Sequence, residues 1–107
     1  MFNRFYRLFS HSNGSNSTLP APEGNHNLVL FSGPSCPYCH RVVRVIDDLG
    51  IEVELRDIGT DQDAYETLTK TTGRRTIPCL FIDGVPLFES RDIIGWLQKY
   101  ASSNGGD

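Results

Sequence analysis

Gly33-Pro34-Ser35-Cys36-Pro37-Tyr38-Cys39-His40 separates two segments of different periodicity. Before it, Leu28 to Phe31 is a short unbroken apolar run closed by Ser32, Gly33 and Pro34, the pattern of a buried strand. After it, Val42, Val43, Val45, Ile46 and Leu49 recur at helical spacing until Gly50 offers a left-handed stop, which predicts a helix over about Pro37 to Leu49. Ile51 to Arg56 then alternates apolar with charged residues, as a half-exposed strand does. A strand, a helix and a second strand in this order predict a parallel pair joined by a right-handed crossover.

The remaining elements follow the same punctuation. Asp61 to about Thr72 reads as a polar helix with Ala64, Tyr65 and Leu68 facing inward and Gly73 ending it. Leu80-Phe81-Ile82, Asp83-Gly84 and Val85 to Phe88 form a hairpin signal, because Asp-Gly accepts positive φ. Pro86 assigns the second of these strands to a sheet edge. Ser90 is a good N-cap, and Ile93, Ile94, Trp96, Leu97 and Tyr100 supply the apolar face of a last helix. The expected fold is α/β, in the order βαβαββα, with a four-stranded mixed sheet flanked by helices over residues 28–101.

Outside that unit the composition changes. Ser10 to Asn27 is dense in Ser, Asn, Gly and Pro, as a flexible linker is, so residues 1–27 are expected to be a flexible extension and residues 102–107 a disordered tail. Within the extension Phe2, Phe5, Tyr6 and Phe9 share one helical face, and the first acidic residue is Glu23. Three readings stay open for it: a floppy terminus, a membrane-surface contact through residues 1–10, and an organelle presequence.

The chain has 107 residues, room for one ordinary domain. No apolar run approaches the ~20 residues that span a bilayer. A formal charge of −3 lacks the basic excess that phosphate backbones demand, so no nucleic-acid partner is expected. Three cysteines, Cys36, Cys39 and Cys79, are too few and of the wrong parity for a stapled secreted framework. With no secretory signal visible, a reducing compartment, the cytoplasm, is expected, with organelle or membrane-surface placement through the extension as the alternative.

The chemistry lies in the cysteine pair. Pro37 suits the first helical turn, where its missing N–H is harmless. Cys36 is thereby set at the helix N-terminus, where unpaired amides and the positive end of the dipole favour its thiolate. A free thiol of pKa ~8.5 is only about 3% ionised at pH 7, whereas values of ~3.5–7.5 occur at helix N-termini and make most of it reactive. Cys39, three residues on, shares that face and is close enough to bridge. Cys36 is the expected nucleophile and Cys39 the resolving thiol, while Cys79 reads as a buried packing residue.

The combination of Cys36-Pro37-Tyr38-Cys39, Thr76-Ile77-Pro78, the hairpin and the entry Glu89-Ser90-Arg91-Asp92 resembles dithiol glutaredoxins of the thioredoxin fold. The resemblance covers about residues 28–101 and extends in part to the thioredoxin-like domains of glutathione transferases. It implies a glutathione-dependent thiol-disulfide oxidoreductase that reduces protein–glutathione mixed disulfides and protein disulfides, with glutathione as co-substrate, no permanently bound cofactor, no metal, and a monomeric state. It implies a cis bond before Pro78 and backbone pairing of Ile77 with glutathione. Tyr38, Arg74, Arg75, Thr76, Ser90, Arg91 and Asp92 complete the implied glutathione contacts, Arg74 and Arg75 facing the glycyl carboxylate. Two departures stand out. Gly33 replaces a lysine common in the family, and Glu89-Ser90-Arg91-Asp92 stands where many members have Gly-Cys-Asp-Asp.

Other readings remain. A thioredoxin-like electron donor would keep the chemistry and change the reductant. A metal or cluster site would need Cys36, Cys39, Cys79 and a histidine to converge, although the spacing supplies only one close pair. A non-catalytic adaptor would place the interest in the N-terminal segment.

Overall fold

A computed structural model describes residues 19–105, with side chains through Ser103. The aromatic face of Phe2, Phe5, Tyr6 and Phe9 lies outside the described residues, as do residues 10–18 of the expected linker. The elements are β1 (Leu28–Ser32), α1 (Pro37–Leu49), β2 (Glu54–Asp57), α2 (Gln62–Thr72), β3 (Cys79–Ile82), β4 (Val85–Phe88) and α3 (Ser90–Gly105). They occur in the order expected from the sequence. The sheet order is β2-β1-β3-β4, with β1 and β2 parallel and the other two pairings antiparallel.

Strand alternation divides the core between the two faces of the sheet. Leu28, Leu30, Leu80 and Ile82 meet Val42 and Ile46 of α1 and Ile93, Trp96 and Leu97 of α3. Phe31, Cys79 and Phe81 point the other way, onto Ala64 and Leu68 of α2. β3 is buried at every residue because helices cover both of its faces.

The local signals place the element ends. Gly50 and Gly73 close α1 and α2 in the left-handed conformation, at φ 68° and 80°. Asp61 caps α2, its carboxylate accepting the Ala64 amide at 3.2 Å, and this bond is the main cause of its lowered pKa. Asp83 and Gly84 both take positive φ, 52° and 88°, as the two-residue hairpin requires. Ile82 and Val85 flank that turn, so the nitrogen of Pro86 faces away from β3 and costs no ladder bond.

Four expectations are corrected. β2 begins at Glu54, not Ile51, because it pairs with β1 only from Val29 onward. Leu55 on this edge strand stays 50% exposed. Residues 19–27, expected to be flexible, are tied to the domain: the Trp96 indole donates to the Pro20 carbonyl at 3.0 Å, Leu19 packs on the core, and His26 bonds Asp83. Residues 102–105, expected in a disordered tail, belong to α3. Ser90 is the first residue of α3 rather than its cap. The first helical bond runs from the Ile93 amide to the Glu89 carbonyl at 3.0 Å, which moves the cap to Glu89. Among the described residues no helix is long and apolar enough to cross a membrane.

Candidate active site

Register brings three loops to one end of the sheet. Phe31 pairs with Cys79, so Pro78 and Ile77 lie beside Ser32 and Gly33, where β1 gives way to the cysteine loop. Cys79 in turn pairs with Phe88, which sets Pro78 beside Glu89 and the start of α3. Residues 33–36, 76–78 and 88–90 therefore meet, although up to 57 positions separate them in sequence.

Cys36 is the N-cap of α1, in extended conformation at φ −116° and ψ 101°. Its Sγ accepts the Cys39 amide at 3.1 Å. Pro37 occupies the first turn, as its lack of an N–H allows. The two sulfurs are joined in a disulfide with Cα atoms 5.2 Å apart. Their surroundings differ sharply: Cys36 is half-buried, whereas Cys39 is fully buried at 0%. The Cys39 amide points at the accessible sulfur, Cys36 Sγ, while the second sulfur is shut away from solvent. The pair thus has an accessible sulfur next to a helix terminus and a shielded sulfur one turn behind it. Tyr38, between them, is 59% exposed, with the Arg41 guanidinium 5.8 Å from its ring.

The Ile77–Pro78 bond is cis. Pro78 is buried, Ile77 half-buried and Thr76 exposed. Gly33 has a steric reason to lack a side chain, since a Cβ there would come within 2.8 Å of Ile77 Cδ1. A lysine at this position would have to displace that methyl group.

At the start of α3 the amides of Ser90, Arg91 and Asp92 precede the first helical bond. They form the positive end of the helix dipole at the mouth of the site. Arg91 and Asp92 are exposed and Ser90 half-buried. Glu89 holds φ 77°, a left-handed conformation that is costly for a side chain and free for glycine. The glycine that the resemblance associates with this position is the signal that could have revealed it.

Arg74 and Arg75 are both exposed but not equivalent. The Arg74 guanidinium lies 4.1 Å above the Phe88 ring centre, an arrangement invisible in the sequence. Cys79 is fully buried beside Pro78, and desolvation pushes its thiol up to about 12. His40 is exposed. Among the described residues no three His, Cys, Asp or Glu side chains gather as a metal ion would require.

The chain is similar to known proteins over most of the described domain. The family model described as glutaredoxin matches residues 28–87. A glutaredoxin of Ricinus communis is 38% identical over 60 residues, which cover 53% of this chain and 59% of that protein. The chain spans about half the length of the curated relatives it matches first. Among solved structures a wheat glutaredoxin aligns over 95% of this chain and 92% of its own, with TM-score 0.57 at 24% identity. A diazinon-metabolizing glutathione S-transferase of the silkworm, Bombyx mori, aligns over 68% of this chain and 37% of its own, with TM-score 0.56 at 26% identity.

Proposed function

The chain belongs to the glutaredoxin family, and from that premise we propose that it is a glutathione-dependent thiol-disulfide oxidoreductase acting on protein–glutathione mixed disulfides and on protein disulfides. The observation that carries this reading is the asymmetry of the cysteine pair, with Cys36 half-buried at a helix N-terminus and Cys39 sealed at 0% exposure behind it.

The Cys36 thiolate attacks the glutathione sulfur of a mixed disulfide. The sulfur–sulfur bond breaks, the protein thiolate leaves, and glutathione is held on Cys36. The thiolate of a second glutathione attacks that held sulfur, regenerating the Cys36 thiolate and forming oxidised glutathione. With a protein disulfide, Cys36 forms the mixed disulfide first and Cys39 attacks it. This releases the second substrate thiolate and forms the Cys36–Cys39 disulfide, which two glutathione molecules then reduce. A leaving thiolate of low pKa departs readily, so the amide facing Cys36 Sγ at 3.1 Å assists its expulsion as well as its attack.

In this reading the groove at the loop junction holds glutathione. The backbone of Ile77, ahead of cis-Pro78, pairs with its cysteinyl unit beside Thr76 and Tyr38. The amides of Ser90 and Arg91 at the helix terminus receive the γ-glutamyl carboxylate, and the Asp92 carboxylate takes its ammonium group. Arg74 and Arg75 stand at the glycyl end. The protein acts as a monomer in a reducing compartment, the cytoplasm.

The test is turnover of a glutathionylated peptide with glutathione, coupled to glutathione reductase and NADPH oxidation. Cys36→Ser should fall to the uncatalysed rate, while Cys39→Ser should keep much of the mixed-disulfide activity. Turnover that survives Cys36→Ser would sink the assignment. Equal or faster reduction by thioredoxin reductase in place of glutathione would transfer the protein to the thioredoxin-like class.

A further inference from the structure

We propose that the groove between α1 and β2 docks the polypeptide of a protein substrate, taking from it a large apolar side chain with an acidic neighbour, about three to five residues from the cysteine under attack. The inference rests on the reading above that mixed disulfides of proteins are the substrate, and it names the kind of segment that brings them to Cys36.

A mixed disulfide bound at Cys36 has two ends, glutathione and protein. In the reading above glutathione takes the side of the cis-proline loop, which leads into β3. β1 lies between β3 and β2 in the sheet, so the side left to the protein is that of β2. A surface groove of about 500 Å³ opens there. Its apolar lining comes from Val43 of α1 and from Ile51 and Leu55, with His40 and Arg44 of α1 beside them. The helical period sets Cys36, His40, Val43 and Asp47 in one row along α1, so the groove begins one turn from the accessible sulfur. Val43 stands ~10 Å along the helix from Cys36, a distance that an extended chain covers in about three residues.

The groove is preformed and uncovered. Val43 and Ile51 pack partly on the core, which fixes that part of the lining. Leu55 belongs to an edge strand and stays 50% exposed; among the described residues Tyr38 is the other large apolar side chain left so open. Its charges favour one kind of guest. α1 has no acidic residue in its first turn and no basic one in its last, so its charges do not serve its own dipole. The ion pairs among the described residues are His26–Asp83 and Arg56–Asp61, and the exposed Arg44 is paired with neither Asp47 nor Asp48 on the next turn. An unpaired guanidinium beside an apolar lining complements a carboxylate next to an apolar side chain. Asp47 lines the far part of the groove and repels that carboxylate, which sets the acidic residue on the cysteine side of the apolar one.

The experiment is steady-state turnover, with glutathione, of two glutathionylated peptides by the full chain. One carries a leucine with a glutamate on its cysteine side, at about the spacing given above, to both sides of the cysteine; the other has serine and glycine in their place. Wild type should prefer the first in kcat/KM by about fivefold, the size of a partly buried leucine, with the difference in KM. Leu55→Ser should bring the ratio close to one, while Leu55→Met, which keeps an apolar side chain of similar volume, should retain it. Arg44→Gln should lower the ratio about twofold, and replacing the peptide glutamate by glutamine should then change nothing further. Because each variant is compared with itself on two peptides, damage to folding or to the cysteines cancels. A wild-type ratio of one overturns the inference, as does a ratio that survives Leu55→Ser. Wild type that turns over both peptides without preference removes the inference alone; wild type that turns over neither removes the glutathione reading and the inference with it.

Discussion

The two ends of the sheet are built by different means. Where β1 leads into α1, the decisive features are carried by the backbone: an N-cap cysteine, a cis bond before Pro78 and a left-handed Glu89. At the opposite end, where the hairpin turn meets residues 19–27, the structure is held by side chains reaching across long intervals. His26 lies between Asp83, whose Oδ2 is 2.6 Å from Nδ1, and the carbonyls of Ala21 and Glu23, 2.7 and 2.9 Å from Nε2. Asp83 also accepts the Asn27 amide at 2.8 Å. The imidazole makes a T-shaped contact with Trp96 and a tilted one with Tyr100. Both ring nitrogens face acceptors, an arrangement fully satisfied only by the imidazolium. The difference teaches a division of labour: the loops around the cysteine pair stay partly open, while the far end of the same sheet is clasped shut.

If the ends are independent, the largest effect is chemical and leaves stability alone. Cys36→Ser should reduce turnover to background while its urea midpoint stays within experimental scatter of the reduced wild type, because Cys36 is half-buried at an N-cap that serine also suits; a shared collapse of activity and stability would break the division. Next, a chain beginning at Leu28 should lose on the order of 4 kcal/mol of stability relative to the full chain, since it forfeits two charge-assisted hydrogen bonds to Asp83 and two neutral ones, from the Asp83 amide to Asn27 and from Trp96 to Pro20, yet keep the kcat of its folded fraction. Lost kcat in folded protein would show that the clasp reaches the redox end.

The third effect depends on pH. The Asp83 hydrogen bond raises His26 above 6.5 against the opposing effect of burial, while the Asn27 amide, followed by His26, lowers Asp83 below 3.8. A raised histidine contributes stability that is complete below its ordinary value and lost as pH rises through the folded one. A lowered carboxylate contributes stability above its ordinary value and loses it as pH falls through the folded one. The clasp is therefore strongest between about pH 4 and 6.5. The other ionisable groups lining the depression beside His26 are Glu52, Glu54 and Tyr100. Urea midpoints of wild type and His26→Gln should differ most in that window and converge above it, with the single tryptophan, Trp96, reporting in fluorescence. A constant difference from pH 5 to 9 would mean that His26 acts by packing alone.

The smallest effect tests the strained residue. Glu89→Gly should stabilise the domain by up to about 1 kcal/mol, the left-handed cost less the extra chain entropy of glycine. Destabilisation would show that the Glu89 side chain makes up for its backbone.

The redox end was legible because its signals are local. Cys36, Pro37 and Cys39 state the cap, the helix start and the bridge within four residues, and Asp83-Gly84 states the turn by its tolerance of positive φ. The early strand placement at Ile51 failed because apolar alternation there reflects packing of Ile51 and Val53 on the core, not ladder pairing. The reading of residues 19–27 as a linker failed for the converse reason. Composition sees few large apolar groups in that stretch and cannot see that His26 finds Asp83 57 positions away. The Arg74–Phe88 stack was hidden likewise, since two arginines in a loop look alike until one of them finds a ring.

The sequence by itself determined the order of elements, the caps at Gly50 and Gly73, the hairpin and the cysteine pair at a helix start. Each depends on a conformational preference or periodicity spanning a few neighbours. Only the tertiary structure decided that Cys39 is sealed while Cys36 is reachable, that Gly33 yields its space to Ile77, that Arg74 stacks on Phe88, and that His26 clasps the far end. These are matters of burial and of contacts between distant segments, and they exist only once β1, β3 and β4 have paired in register.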